Sequence, residues 1–151
     1  MSVRIEGVEQ INDLIESLSL MPTEAVNWIR LASKAKEIVS KRTASGRDVL
    51  GAKFSPYSAS YLEYKEERLG RPVTRVDLFD TGNMLGSMQV GGNKIGSKVF
   101  FSDSVQNDKA KYHNEGDGLP KREFFALNDD EVDNQIMPIV NKDIDKFMEG
   151  L

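Results

Sequence analysis

The stretch MQVGGNKIGSKVFF, residues 88–101, introduces β-structure into a chain whose other apolar patterns are mainly helical. Apolar residues of regular parity flank its glycines, at Met88, Val90, Ile95, Val99 and Phe101. Such alternation is typical of strands that bury one face. Gly91-Gly92-Asn93 supplies residue types that tight turns favour, so we expect the chain to reverse there. The stretch therefore predicts an antiparallel hairpin.

Helical spacing dominates on both sides of this hairpin. On the N-terminal side, a helix is predicted from Pro22 to about residue 43. Its apolar stripe consists of Ala25, Trp28, Ile29, Ala32, Ala35, Ile38 and Val39. On the C-terminal side, Asp129 and Asp130 are expected to start a helix that extends to about residue 148. Pro138 removes one helical hydrogen bond and is expected to kink or split that helix.

Shorter elements fill the space between the hairpin and the long helices. Ser58 and Gly70 suit the two ends of a short helix. A single helical turn is expected to hold Met84 and Leu85, capped by Asp80 or Thr81. Residues 121–127 are predicted to form a further strand.

The remaining segments are predicted to be a strand, a helix and two loops. Val3 and Ile5 indicate a short N-terminal strand, and apolar spacing over 11–18 indicates a helix of about three turns. Residues 44–57 and 102–120 are expected to be loops, the second with a helical turn near 110–114. The chain is thus predicted to be a single α+β domain over residues 1–151. It would have N-terminal helices, a small mainly antiparallel sheet in its second half, and a C-terminal helix.

Composition excludes several classes of chemistry. The chain has 151 residues, a formal net charge of -4 and no cysteine, so disulfides, thiolate metal sites and cysteine nucleophiles are ruled out. An acidic chain is a poor general binder of nucleic acid, because that binding depends on neutralising phosphates. No secretory signal or long apolar run is apparent, so we expect no membrane partner.

His113 is the only histidine, and it is the one residue that suggests catalysis. Asp103, Asp108, Glu115 and Asp117 lie near it in sequence, but in no recognised spacing. A small hydrolase or nuclease that uses His113 remains an alternative. The simpler interpretation is a loop histidine that bonds to backbone or to a neighbouring subunit. We expect no cofactor and no metal, because neither a phosphate-binding loop nor a calcium-loop pattern occurs.

Charge is unevenly distributed along the chain. A basic stretch lies between Lys34 and Arg47, and an acidic stretch covers residues 129–148. The two could meet across a repeating contact between subunits, or they could be ordinary solvated surface. A third hypothesis is an adaptor that contacts DNA in a channel through the basic stretch.

Several short motifs, in order, resemble a family of tailed-phage proteins: the virion morphogenesis or tail-completion (neck) family. The segments that carry the resemblance are VRIEGV (3–8), FSPYS (54–58), LFDTGNMLGS (78–87), AKYHNEG (110–116) and PKREFFAL (120–127). They are similar to a strand–glycine start followed by "F-x-P-Y-S", "L-x-x-T-G-x-L/M-x-x-S", "Y-A-x-x-H-Q-x-G" and "P-x-R-P-F-L-x-L". The resemblance extends over nearly the whole chain.

The resemblance implies a non-enzymatic protein of the head–tail junction, which completes the tail or neck as a homo-oligomeric ring of six copies. Its partners would be the tail tube or tail terminator protein on one side and a head-completion or connector protein on the other. It would be located in the virion, and in the host cytoplasm during assembly. The interface candidates are Phe54, Pro56, Tyr57, Tyr61, Thr81, Gly82, Tyr112, His113, Arg122 and Phe124. We expect Phe54 and Tyr57 to act as anchors from a mobile loop, and Arg122 to hold the loop that contains Glu115.

Overall fold

A computed structural model describes residues 23–151 of the chain. The predictions for Val3, Ile5, residues 11–18 and Pro22 lie outside the described residues. A 3₁₀ turn at Thr23–Ala25 precedes the regular elements. These elements are α1 (Trp28–Ala44), α2 (Ala59–Leu69), α3 (Asn83–Gly86), β1 (Met88–Asn93), β2 (Gly96–Phe101), α4 (Ser104–Glu115), α5 (Asp129–Glu131), a π-helical turn (Val132–Ile136) and α6 (Met137–Glu149). The predicted α+β class is confirmed.

Helix α1 is the centre of the apolar core. It begins after Asn27, whose side-chain oxygen accepts from the Arg30 N–H at 3.0 Å. Its buried face follows helical spacing and packs on the hairpin and on the π-helical turn. The members of this face are Trp28, Leu31, Ala32, Ala35, Ile38 and Val39. The predicted end near residue 43 is correct to within one residue. Ile29 was predicted to lie on the apolar stripe but is 42% exposed, because the buried face passes through Leu31 instead.

The hairpin forms where the sequence predicts it, but it turns later. The antiparallel register pairs Met88 with Phe101 and Asn93 with Gly96, so the turn falls after the glycines. Gly91 and Gly92 belong to β1. A Cβ on Gly92 would lie 2.5 Å from the carbonyl oxygen of Gly96. The second glycine therefore permits close strand pairing rather than the chain reversal.

The segment 120–128, which we call the extended segment, forms neither helix nor strand and bends at Phe125 and Ala126, which corrects the prediction of a strand over 121–127. The only sheet of the described residues is the two-stranded hairpin. Side chains replace a partner strand here: the Asn114 side-chain oxygen accepts from the N–H groups of Phe124 and Phe125 at 3.0 and 2.9 Å. Buried backbone groups need partners, and these bonds supply two of them.

The region predicted to be a loop at 102–120 contains a full helix, α4. Asp103 caps its N-terminus, and Gly116 ends it in the left-handed conformation at φ +77°. Few apolar residues mark this helix, so the capping residues were the only sequence signal. The predicted loop at 44–57 is confirmed over residues 45–57, which form neither helix nor strand apart from an isolated bridge between Arg47 and Lys53. Helix α2 lies between Ser58 and Gly70 as predicted.

The C-terminal helical region starts at Asp129, as predicted, with Asn128 and Glu131 forming a reciprocal capping box. The C-terminal helical region is divided close to Pro138, as predicted. The π-helical turn ends at Ile136, and Pro138 stands in the first turn of α6, where its missing N–H is tolerated. Among residues 23–151, no helix is long and apolar enough to cross a membrane.

Arg42 ties these parts together. Its Nη1 donates to Glu131 Oε1 at 2.6 Å, and its Nη2 donates to the carbonyl oxygens of Phe124 and Ala126, each at 2.7 Å. The side chains of Arg42 and Glu131 are only 8% and 12% exposed. One guanidinium thus joins α1, the extended segment and the start of α5.

We expect Arg42→Met to lower the free energy of unfolding by about 3–5 kcal/mol, because it leaves Glu131 charged and buried without its partner. Lys41→Met is the matched control. Lys41 is bound to Glu37 at the surface, where an ion pair contributes about 1 kcal/mol or less. Urea unfolding of both variants measures the difference. Equal losses would show that Arg42 has no special structural role.

Candidate functional site

Four segments of the chain enclose a cleft of about 640 Å³. They are the loop leading into α2, the stretch before and within α3, helix α4, and the residues that enter the extended segment. The lining residues are Pro56, Tyr57, Ser58, Tyr61, Leu78, Asp80, Met84, Lys109, His113, Leu119, Pro120 and Arg122. Most of the wall is apolar or aromatic, with a few charged groups, as is usual for binding clefts.

Arg122 holds one wall of the cleft in place. Its Nε donates to the carbonyl oxygen of Ser55 at 2.9 Å and its Nη2 donates to that of Pro56 at 2.8 Å. Arg122 is 3% exposed, and no carboxylate of residues 23–151 forms an ion pair with it. Burial lowers the pKa of Arg122, although the group remains protonated. The cleft therefore contains a positive charge that no described acid neutralises.

Tyr57 lies between two cations. Lys65 Nζ is 4.8 Å from the centre of the Tyr57 ring and Arg122 Cζ is 5.3 Å from it, both within cation–π range. Lys65 is 2% exposed and donates to the Tyr57 hydroxyl, to Asp77 and to the carbonyl oxygen of Phe79. Tyr61 adds an edge contact to Tyr57, with ring centres 4.9 Å apart. These contacts fix the aromatic wall of the cleft.

His113 faces a cation rather than a carboxylate. Its Nδ1 lies 3.5 Å from Arg122 Nη1, and because arginine only donates, Nδ1 accepts and Nε2 carries the hydrogen of the neutral ring. Burial, and then the charge of Arg122, lower the pKa of His113 to about 4. No carboxylate of residues 23–151 hydrogen-bonds to this ring, so the orienting acid that the catalytic hypothesis requires is not among its described partners.

The cleft is accordingly rich in hydrogen-bond donors. Arg122, Lys109 and the neutral His113 line it together with the tyrosine hydroxyls, and Asp80 is its one acidic lining residue. Donors of this kind bind carbonyl or carboxylate oxygens. Apolar walls around them favour a partial burial of whatever binds.

The structure brings together half of the predicted interface candidates. Pro56, Tyr57, Tyr61, His113 and Arg122 line the cleft, and Thr81 and Gly82 lie in sequence between two of its lining residues. A Cβ on Gly82 would lie 2.8 Å from the Phe79 ring, and its φ is +83°, so only glycine fits. Tyr112 is 44% exposed but does not line the cleft.

Two candidates have a different role from the one expected. Phe54 and Phe124 are 6% and 0% exposed and belong to the core, so neither side chain is available to a partner. Arg122 binds the carbonyl oxygens of Ser55 and Pro56. It also contacts the segment that contains Glu115, because its backbone N–H donates to the carbonyl oxygen of His113 at 2.7 Å. Sequence alone does not separate a phenylalanine that anchors a partner from one that fills the core.

Sequence reasoning missed Lys65 and Lys109 as site residues. Lys65 lies four residues after Tyr61, so helical spacing places both on one side of α2. Lys109 lies four residues before His113 on α4, but the helix itself was not predicted. A buried lysine gives no signal in sequence, because most lysines are exposed.

One ion pair joins the basic and acidic stretches within the chain, between the buried Arg42 and Glu131. Lys34 and Lys41 of the basic stretch pair with Glu37 at the protein surface. Arg30, just before the basic stretch, pairs with Asp143. Among residues 23–151 there is also no cluster of three potential metal-ligating side chains.

Comparisons of the chain with protein-family models, with curated proteins and with solved structures found no match.

The lowered pKa of His113 predicts that the stability of the protein depends on pH. Its pKa in the folded protein is about 4, against an ordinary 6.5, so the unfolded chain takes up this proton first as the pH falls. The contribution of neutral His113 to the free energy of unfolding is therefore fully present above pH 6.5 and is lost as the pH falls towards 4. After allowance for solvent screening of this partly exposed ring, we expect a loss of about 1–2 kcal/mol between pH 7 and 5.

Proton NMR of this single histidine measures the pKa directly. Unfolding of the wild type and of His113→Gln, at pH 7 and 5, measures the linked stability. The variant should lack the part of the pH dependence due to His113. A histidine that titrates near 6.5 in the folded protein would contradict this description of the site.

Proposed function

We propose that this protein is a non-enzymatic structural component of a bacteriophage head–tail junction. It completes the tail or neck as a homo-oligomeric ring and joins head to tail. In this proposal a ring of six copies contacts the tail tube or tail terminator protein on one side and a head-completion or connector protein on the other. The protein belongs to the virion, after assembly in the host cytoplasm.

One observation supports this proposal most. The segments 54–58, 78–87, 110–116 and 120–127, which carry the resemblance to the phage family, are far apart in sequence but each contributes to the wall of one cleft. Motifs that served only the core would have no reason to share a surface. Their convergence is expected if they build a binding site.

The character of the cleft suits binding rather than chemistry. Its backbone is held by buried cations, so the concave shape is already formed before a partner arrives. At its edge, Leu119 is 43% exposed and is available to a partner. His113, which the hydrolase hypothesis requires as a base, has its Nδ1 directed at Arg122 and its pKa lowered to about 4.

Deletion of the gene tests the proposal. In the phage or prophage that encodes this chain, we expect deletion to yield separate heads and tails in negative-stain images, and no joined particles. The wild-type gene supplied in trans should restore joining. Normal particles from the deletion strain would refute the proposed function.

Complementation with point variants tests the cleft itself. We expect Leu119→Glu to reduce joined particles at least tenfold, because it places a charge on the apolar wall. Ile95→Glu is the matched control, since Ile95 is 71% exposed at the hairpin turn and lies outside the cleft. Equal rescue by both variants would show that the cleft is not the contact surface.

A further inference from the structure

The loop at 47–53 displays a leucine on a rigid support. Leu50 is 84% exposed. Asp48 Oδ1 accepts from the N–H groups of Leu50 and Ala52, each at 2.9 Å, and Arg47 Nη1 donates to the Gly51 carbonyl oxygen at 2.7 Å. Single exposed leucines are common on proteins. A leucine whose backbone is already held in place loses less conformational entropy when a partner covers it, and is therefore well suited to binding.

Acidic groups stand next to this leucine. The Asn128 side-chain amide donates to the carbonyl oxygen of Val49 at 2.7 Å, which places the loop beside the start of α5. Asp129 and Asp130 are exposed there, and neither forms an ion pair within residues 23–151. Arg47 and Lys53 also belong to this surface, so its three acids, Asp48, Asp129 and Asp130, outnumber its bases by one. We call the surface formed by residues 47–53 with Asp129 and Asp130 the acidic knob.

The cleft has the complementary character. Its wall includes Leu78, Met84 and Leu119, and its charged lining groups include Arg122 and Lys109. Lys109 is exposed, and neither cation is neutralised by an ion pair in the described part of the chain. An apolar cleft with positive charge fits an apolar knob with negative charge.

We propose that the cleft of one copy of this chain receives the acidic knob of a second copy. Leu50 enters between the apolar walls, and Asp129 and Asp130 face Lys109. No residue of the knob lines the cleft. Each copy can thus bind one neighbour through its cleft and another through its knob, a heterologous contact that forms a ring where the rotation between copies closes. This inference rests on the self-assembly in the proposed function and assigns it a contact.

Sedimentation velocity of the purified full-length chain tests the contact. We expect the wild type to associate with rising concentration, and to do so less at high salt. Leu50→Asp should weaken association at least tenfold, as expected for the loss of a central apolar contact. Ile95→Asp, the matched control at another exposed aliphatic residue, should associate like the wild type. A wild type that stays monomeric, or two variants that behave alike, would overturn the contact.

Disulfide trapping identifies the two surfaces. The chain has no cysteine, so introduced thiols are the only ones present. Copies with Leu50→Cys, mixed with tagged copies of Leu119→Cys, should form mixed disulfides on mild oxidation at least fivefold faster than copies with Ile95→Cys mixed with the same partner. Equal rates would overturn the inference. Because the gene-deletion test does not depend on this contact, a failure here would leave the head–tail function standing.

Discussion

The structure depends on one buried cation, Arg42, and on the backbone that it satisfies. The extended segment 120–128 has no neighbouring strand, so its carbonyl oxygens need other donors. The Val49 N–H donates to the Glu123 carbonyl oxygen. Arg42 donates to the carbonyl oxygens of Phe124 and Ala126, and at the same time neutralises Glu131. Glu131 in turn caps α5 together with Asn128. The ring of Phe101 in β2 packs on the ring of Phe125 in the extended segment, with ring centres 4.9 Å apart.

The same physical solution recurs in the cleft. Arg122 donates to the carbonyl oxygens of Ser55 and Pro56, and Lys65 donates to that of Phe79. Arg42, Arg122 and Lys65 therefore all donate to backbone carbonyl oxygens in segments that belong to neither helix nor strand. The hairpin alone offers few backbone partners, so a protein with so little sheet needs long charged side chains to hold its irregular segments. Buried charges of this kind favour a single arrangement of the chain more than they add stability.

The positive charge of Arg122 affects what the cleft can bind. Arg122 binds neutral carbonyl groups and a neutral histidine, so its charge remains available within the cleft. A chain with a formal net charge of -4 thus presents a locally positive, apolar concavity. Asp80, the acidic residue that lines the cleft, pairs with Arg68 instead. Two other acids, Asp129 and Asp130, lie near the exposed Leu50. The charge separation that the sequence shows between two stretches is used inside the chain by Arg42 and Glu131. The two surfaces of opposite charge that remain exposed are the cleft and the acidic knob.

The sequence by itself determined the elements with strong local signals. The apolar stripe of α1, the caps at Ser58 and Gly70, the alternation of the hairpin and the start at Asp129 were all predictable, because each depends on neighbours within a few residues. The motif segments at 54–58, 78–87, 110–116 and 120–127 each contain residues that line the cleft, although the cleft itself was not predicted. Helix α4 was missed because it has almost no apolar periodicity.

Only the tertiary structure decided which of the marked residues are available to a partner. Phe54 and Phe124 have the same chemistry as exposed anchors, but long-range packing buries them. The run at 121–127 has the pattern of a strand, yet Asn114 and Arg42 occupy the bonding positions that a neighbouring strand would need. Lys65 and Arg122 become buried donors through contacts with residues 12 to 67 positions away. Such contacts form when distant segments meet, and no local pattern of residues encodes them.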